Sequence, residues 1–370
     1  MITYKGGENS LYMDESERKY WEDSDCKILI FNWERWLYLE TDWYKNQIHS
    51  KESISLINVK VSELVEEVKK HDICFFFVCE MMVQTMDTID SSNTAITLEL
   101  LEEMAKLNVV YLLLSEDTHF PIDKSKSLNT PWFVDKNIYI PQDTTIDFDY
   151  RQKDFTFNML LGSERDYRTK MFESLRHNSY MYSSYMGHPY HSKHSQTFLD
   201  DKDIVSNLYN QGFSEKLNTM EQVIREDNKY CISHTVPGRV YNNTHFDIVA
   251  ESQPLRNGLN FTTEKTGKPI AAGRFFIWYN SAHQVEYLKK FGFELQDYIC
   301  GYDKIIDDDD RLDAIFTLVR EIGNNENYIK KIYEDTKEAR IHNQEVYKEL
   351  VKTFRNRFVS WMTSEINRTL

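Results

Sequence analysis

The feature that most constrains the fold is a set of short runs that are apolar at nearly every position. Three of them are KILIF at Lys27–Phe31, VVYLLL at Val109–Leu114 and FTFNMLL at Phe155–Leu161. Strands that are buried on both faces have this pattern, and such strands belong to parallel sheets covered by helices on both sides. Stretches of helical periodicity, such as VSELVEEVKK at Val61–Lys70, lie between the runs. The sequence therefore predicts an α/β fold built from βαβ units.

The alternation of strands and helices occurs twice within 370 residues, a length typical of two domains. A polar, proline-containing stretch at Thr118–Asp154 separates the two series. We predict a first domain at residues 1–150, a second at 151–345, and a C-terminal helix at 346–370 that packs back on the first domain. Each half is expected to be Rossmann-like, and the two halves are expected to face a cleft. Residues 1–25 show no period and predict an irregular arm.

The second series begins with the strand at Phe155–Leu161 and a helix at Tyr167–Arg176. Its remaining elements are predicted from the same patterns. They are strands at Phe246–Ala250 and Arg274–Trp278 and helices at Glu264–Ala272, Gln284–Phe291, Arg311–Glu321 and Glu326–Arg355.

Charge and composition bear on the partners and the compartment. The formal net charge of −15 disfavours extensive binding to a nucleic-acid backbone, because neutralising the phosphates needs clustered Lys and Arg. DNA is therefore a possible partner that the charge does not favour. No run of 18 apolar residues and no signal-peptide core occur in the sequence. The odd number of cysteines and their lack of zinc-ligand spacing predict reduced, buried thiols in a cytoplasmic protein. These cysteines are Cys26, Cys74, Cys79, Cys231 and Cys300.

One candidate anion site follows the run at Phe155–Leu161. A loop leads from this run into a predicted helix, and the start of the helix carries Arg165 and Arg168. Backbone amides at a helix N-terminus and a cation beside them together bind anions such as a diphosphate. Arginines on a first helical turn are also common on protein surfaces, so this segment alone is weak evidence for an anion site.

A second segment carries more of the predicted chemistry. The predicted strand FDIVA places Glu251 at its carboxyl end, where open α/β sheets bind ligands. Further along, Thr263 can cap the next helix while the amides of that helix face an anion. Lys265 can neutralise a phosphate, and the carboxylate of Glu264 can accept hydrogen bonds from ribose hydroxyls. A capped surface helix with a Glu/Lys pair is the alternative interpretation.

Together the two segments resemble the donor domain of the α1,3-fucosyltransferases, glycosyltransferase family 10, and of its soluble viral and bacterial relatives. The resemblance covers about residues 155–300. The matching residues are Ala250-Glu251-Ser252, Thr263-Glu264-Lys265, Ala271-Ala272-Gly273 before Phe275-Phe276-Ile277, and the upstream Arg168, Phe172 and Leu175.

The resemblance implies a GT-B fold and transfer of a sugar from a nucleoside-diphosphate sugar to a hydroxyl acceptor, with a glycan favoured. It implies inverting chemistry without a metal, and no cofactor is expected. Arg168 and Lys265 would hold the donor diphosphate, Glu264 would bind the ribose, and Glu251 would contact the donor sugar or shape its pocket. The predicted donor-binding set also includes Arg165, Thr263 and Lys268.

Three departures from the family pattern leave the donor open. Ser252 stands where the family has Asn, the loop that follows is longer, and Lys268-Pro269 replaces a bulky continuation. The donor is therefore predicted only as a nucleoside-diphosphate sugar, such as a GDP- or UDP-sugar.

The catalytic base is sought at strand ends of the first domain. An inverting enzyme needs a carboxylate that takes the proton from the acceptor hydroxyl. Glu80 follows a further apolar run, DICFFFVC at Asp72–Cys79. Glu116 and Asp117 follow VVYLLL, and Glu34 follows KILIF. We favour Glu80 slightly, although each of these acids could equally be a solvated loop residue.

Three further features are interpreted as structural and not as parts of a functional site. The histidines His188, His191 and His194 lack a carboxylate or cysteine at matching spacing, so no metal is predicted. The acidic run Asp307–Asp310 precedes a predicted helix and suits a helix N-terminus. The aromatic segment Tyr180–Tyr190 is attributed to packing, with sugar stacking as the alternative.

Three other functions come into consideration. The acceptor could be a modified DNA base of a virus or phage, or the chain could be a silent module that binds nucleotide-sugars without turnover. An NAD-type oxidoreductase is disfavoured because no G-x-G-x-x-G follows an early strand. The sequence does not specify the oligomeric state.

Overall fold

The computed structural model describes residues 2–5, 26–32, 65–78, 106–107, 110–114, 127–129, 138–161, 165–185, 235–251, 262–295 and 299–369. The chain divides into two compact units. The first consists of Met1–Pro131 with Lys352–Leu370, and the second of Trp132–Val351. Both units contain a parallel sheet, which confirms the predicted α/β class.

The first unit contains a five-stranded sheet whose neighbouring strands all run parallel. The strands lie side by side in chain order, so the order does not reverse among the described strands. They are β1 (Ile2–Lys5), β2 (Ile28–Asn32), β3 (Ile73–Val78), β4 (Val110–Leu114) and β5 (Ser127–Asn129). The predicted irregular arm is therefore wrong at residues 2–5, because a strand of four residues is too short to show a period.

Apolar side chains of this sheet pack against the last helix of the chain, α6 (Glu326–Thr369). Ile28, Ile73 and Phe75 share one core cluster with Phe358 and other residues of the C-terminal part of the helix. The ring centroids of Phe75 and Trp361 lie 5.6 Å apart, edge to face. The apolar contacts on β2 and β3 thus hold the end of α6 within the first unit.

The second unit contains a four-stranded parallel sheet in the order β7-β6-β8-β9. The strands are β6 (Phe155–Leu161), β7 (Met181–Tyr185), β8 (Thr244–Ala250) and β9 (Phe276–Tyr279). The remaining elements are α1 (Asp166–Leu175), α2 (Gly238–Asn243), α3 (Glu264–Ala271), α4 (Gln284–Lys290), a 3₁₀ turn (Gly301–Lys304) and α5 (Asp308–Gly323).

The strand order places a topological switch point between β6 and β8. The chain leaves β6 for β7 on one side and then returns to β8 on the other side of β6. The connections from β6 and β8 therefore lead to opposite sides of β6, and in open α/β sheets ligands bind at such a point. All seven residues of β8 are buried, as expected for a strand covered on both faces.

Helix α5 shows how the acidic run is used. The side chain of Asp307 caps this helix by accepting hydrogen bonds from the backbone N–H groups of Asp309 and Asp310, each at 3.0 Å. The three acidic residues that follow occupy the first turn, where they interact favourably with the helix dipole. The structural interpretation of Asp307–Asp310 is confirmed.

The second unit starts at Trp132, earlier than the boundary predicted near residue 150. The reason is that residues 138–150 are hydrogen-bonded to later parts of this unit. The N–H of Thr145 donates to Asn242 Oδ1 at 2.7 Å. The guanidinium of Arg340 donates to the carbonyls of Asp147 and Phe148 at 2.9 and 2.7 Å. These polar contacts are not visible in a pattern of hydrophobic residues.

Helix α3 ends in a glycine-dependent cap that leads into β9. Gly273 has a φ of 61°, and its N–H donates to the Ile270 carbonyl, while the N–H of Arg274 donates to the Pro269 carbonyl. This pair of bonds is the Schellman motif, in which glycine is preferred at the left-handed position. The Ala-Gly turn of the family resemblance is therefore a helix terminator.

We expect Gly273→Ala to lower the free energy of unfolding by about 2–4 kcal/mol. The alanine would have a strained backbone, and its Cβ would come within 2.6 Å of the Phe148 ring. Gly292→Ala is the matched control, because Gly292 also has a positive φ of 91° but its nearest side-chain atom lies 3.8 Å away. Urea unfolding checks this prediction, and equal losses in the two variants would contradict the steric part.

A buried polar cluster lies near the start of β8. Asp247 accepts a hydrogen bond from Arg274 Nε at 2.5 Å and another from Asn158 Nδ2 at 2.8 Å. Arg274 also donates to the carbonyls of Tyr241 and Thr244, at 2.8 and 3.0 Å. The pair is satisfied on several sides, as a buried ion pair has to be.

His245 adds a pH dependence to this region. Its ring stacks on Tyr150 with centroids 5.4 Å apart and lies 3.4 Å from the Tyr333 hydroxyl. Burial, together with the positive charges of Lys153 and Arg274, lowers the pKa of His245 to about 4. The imidazole is therefore neutral in the folded protein at neutral pH.

We expect the folded state to lose stability as the pH falls from 6.5 towards 4. In that pH range His245 is protonated in the unfolded chain and neutral in the folded chain, so proton binding stabilises the unfolded state. The full effect is on the order of 3 kcal/mol. His245→Phe keeps an aromatic ring against Tyr150 and should flatten this part of the curve of unfolding free energy against pH. An unchanged slope in that variant would contradict the assignment.

Three of the cysteines lie within the described residues. Cys26, Cys74 and Cys300 are buried and form no disulfide, which confirms the predicted buried thiols at these positions. Burial raises the pKa of the Cys74 thiol.

Among the described residues, none of the helices combines the length and apolar character that a membrane crossing requires.

Candidate functional site

The carboxyl ends of β6 and β8 bring the predicted donor residues into one region of the second unit. Helix α1, which carries Arg168, follows β6, and Glu251 directly follows β8. The N-terminus of α3, which begins after Thr263, is hydrogen-bonded to Glu251. This is the switch point at which open α/β sheets bind their ligands.

Glu251 is fully buried, with 0% of its surface exposed. Its Oε1 accepts a hydrogen bond from the Thr263 N–H at 2.9 Å and another from the Thr266 hydroxyl. Its Oε2 accepts one from the Thr263 hydroxyl at 2.6 Å. The carboxylate therefore holds the first turn of α3 to the end of β8.

Thr263 caps α3, as its position in the sequence predicts. Its backbone is extended, and its hydroxyl accepts a hydrogen bond from the Lys265 N–H at 3.3 Å. The same hydroxyl accepts a second bond from Lys265 Nζ at 3.2 Å. The cap thus fixes both the backbone and the ammonium group of Lys265.

Lys265 and Glu264 form an ion pair at the start of α3. Lys265 Nζ lies 2.8 Å from Glu264 Oε1, and the two side chains are 26% and 16% exposed. Burial alone would raise the pKa of Glu264, but the ammonium groups of Lys265 and Lys268 lower it to about 2. Glu264 is consequently an anion, and a hydrogen-bond acceptor only, throughout the neutral pH range.

The two predicted arginines of α1 differ in their surroundings. Arg165 is exposed at the N-cap position of this helix. Arg168 is 2% exposed, and its guanidinium donates to the carbonyls of Glu251 and Ala250 at 3.0 and 3.3 Å. In this structure the guanidinium of Arg168 is thus bonded to the backbone at the end of β8. The hydroxyl of Tyr167 also donates to the Glu251 carbonyl.

The neighbouring end of β9 is held by a second buried arginine. Arg311 Nε donates to the Asn280 carbonyl at 2.9 Å, and its guanidinium also contacts Asp308. The ring of Tyr279, the last residue of β9, lies 5.4 Å from the ring of Tyr167. Buried arginines therefore hold the backbone at the ends of both β8 and β9.

The structure brings together most of the predicted donor residues. Glu251, Thr263, Glu264 and Lys265 are linked by hydrogen bonds, Arg168 joins them through the Glu251 carbonyl, and Lys268 lies on the same helix. Tyr167 and Thr266 were missed. Thr266 stands three residues after the Thr263 cap, a position whose side chain commonly lies beside the cap, and this spacing could have indicated the second threonine.

Other predicted residues lie outside the described part of the chain. These are the candidate bases Glu80, Glu116, Asp117 and Glu34, and the histidines His188, His191 and His194. In the aromatic segment, Tyr180 is buried in the core of the second unit, as the packing interpretation predicts. Among the described residues, no three His, Cys, Asp or Glu side chains are placed to hold a metal ion together.

Comparison of the chain with protein-family models, with curated proteins and with solved structures finds no match in any of the three.

Proposed function

We propose that this chain is a glycosyltransferase that transfers a sugar from a nucleoside-diphosphate sugar to a hydroxyl acceptor. The donor binds at the carboxyl ends of β6 and β8 in the second unit, and the two units form a GT-B arrangement. One observation carries the proposal. The Thr263-Glu264-Lys265 motif begins a capped helix that Glu251 ties to a strand end at a topological switch point.

The diphosphate is bound by the cations of α3. Lys265 lies in the first turn of this helix and Lys268 one turn later. As the bond between the anomeric carbon and the diphosphate breaks, its electron pair moves onto the diphosphate. The ammonium groups stabilise that charge without a metal.

The ribose is recognised by Glu264. Because the pKa of this carboxyl group is about 2, it accepts hydrogen bonds from ribose hydroxyls throughout the neutral pH range. Its ion pair with Lys265 also places the ribose site beside the phosphate site.

The first unit supplies the acceptor site and the catalytic base. A carboxylate there takes the proton from the acceptor hydroxyl, whose oxygen attacks the anomeric carbon and inverts it. Glu80, with Glu116 and Asp117 as alternatives, stays the prediction for this role. A glycan is the favoured acceptor.

A thermal-shift series tests the donor site. We expect one class of nucleoside diphosphate among GDP, UDP, CDP and dTDP, with its sugar conjugates, to raise the melting temperature in the absence of metal. A variant with Glu80, Glu116 and Asp117 replaced by their amides should still bind the donor but should not turn it over. The proposal is overturned if none of the nucleotides shifts the wild-type protein at millimolar concentration. It is also overturned if the wild type binds the donor and shows neither transfer nor hydrolysis, since that result identifies a silent binding module.

A further inference from the structure

We infer that Glu251 is a positioning residue that sets the placement of Lys265 through Thr263, and that it does not contact the donor sugar. This inference rests on the proposed function, because it concerns how the proposed phosphate site is held. It differs from the role implied by the family resemblance, in which this glutamate contacts the sugar or shapes its pocket.

The first step is the accessibility of the carboxylate. A carboxylate offers about four lone-pair positions. Three protein donors already occupy positions on Glu251: the Thr263 N–H, the Thr263 hydroxyl and the Thr266 hydroxyl. None of its surface is exposed. Because the side chain is fully buried, a sugar hydroxyl could reach the remaining position only after the surrounding residues moved apart.

The second step is the geometry of the Thr263 hydroxyl. A hydroxyl has one proton to donate and two lone pairs that accept. Here the proton points to Glu251 Oε2, and the lone pairs receive the Lys265 N–H and Lys265 Nζ. Because Glu251 fixes the direction of the proton, it also fixes the direction of the lone pairs that hold the lysine.

The third step is the anchoring of Glu251 itself. Its carbonyl accepts hydrogen bonds from Arg168 and Tyr167 of α1, while its side chain accepts from residues of α3 and its cap. One residue therefore links the starts of the two helices that follow β6 and β8 and flank the switch point. The ammonium of Lys265 is placed relative to both helices through this single link.

The decisive experiment compares two ligands on one variant. If Glu251 positions Lys265, Glu251→Gln should weaken binding of the nucleoside diphosphate and of its sugar conjugate by the same factor, about tenfold. If Glu251 contacts the sugar, only the conjugate should lose affinity. Calorimetric titration of wild type and variant with both ligands gives the two ratios. A selective loss for the conjugate, or no loss for either ligand, overturns the inference.

A second pair of variants keeps the test open if Glu251→Gln does not fold. Thr263→Val removes the hydroxyl and should weaken both ligands equally, whereas Thr263→Ser retains the hydroxyl and should bind within a few-fold of wild type. Thr156→Val is the matched control, since it removes a buried hydroxyl that donates to the Gly323 carbonyl at the other end of the unit's sheet. The control should lower the melting temperature without changing either affinity. Wild-type protein that binds neither ligand would instead refute the proposed function.

Discussion

Lys265→Ala is expected to lower the rate of donor cleavage by about 100- to 1,000-fold while the protein stays folded. Removal of one preorganised group that stabilises developing charge has an effect of this size in other enzymes. The lysine is the partly exposed cation at the start of α3, and the Thr263 cap holds its ammonium in place. The rate is measured as nucleoside diphosphate released from the sugar conjugate.

The control for this variant is a lysine of similar chemistry on α6. Lys331 forms an ion pair with Asp335 at 2.8 Å, and its side chain is 60% exposed. Lys331→Ala should leave the rate unchanged. A Lys265→Ala protein that cleaves the donor at the wild-type rate would remove the phosphate-binding role from this residue.

Asp247→Leu is expected to lower the free energy of unfolding by about 3–5 kcal/mol, because removal of one partner from a buried ion pair leaves the other charge buried without compensation. Asp247 and Arg274 are 3% and 8% exposed, and Asn158 also loses an acceptor in this variant. Urea-induced unfolding followed by tryptophan fluorescence measures the loss.

Two further variants show whether the loss comes from the charge. In Asp247→Leu/Arg274→Met both charges are absent, so part of the lost stability should return. Recovery should be incomplete, because the carbonyls of Tyr241 and Thr244 lose the donors that Arg274 provides. Asp335→Ala breaks an exposed ion pair and should change the free energy of unfolding by less than about 1 kcal/mol. A loss for Asp247→Leu no larger than that of Asp335→Ala would contradict burial of the pair.

Elements with a strong local signal were predicted from the sequence. The apolar run of β6 has clear borders, and its predicted limits, Phe155 and Leu161, are those of the structure. Helix α3 begins after Thr263, where the sequence places a cap, and it ends at Ala271, one residue before the predicted end. Capping groups and apolar runs act over a few residues, so their signal is present in the sequence itself.

The features that the sequence did not predict depend on contacts between residues that are far apart in the chain. The sequence shows that Arg168 lies in the first turn of a helix, but it does not show that the guanidinium turns inward to the Glu251 carbonyl. The charge of Asp247 lies within an apolar run, and its partner Arg274 is 27 residues away. Burial and pairing of such groups are decided by packing, which a local pattern does not contain.

The central claim is that the start of α3 binds a diphosphate, and a crystal structure of the protein with the nucleotide selected by the thermal-shift series tests it most directly. The predicted result is a diphosphate within hydrogen-bond distance of Lys265 Nζ, with a ribose hydroxyl donating to Glu264. A nucleotide bound elsewhere on the protein, with the first turn of α3 making no contact to phosphate, would contradict the account.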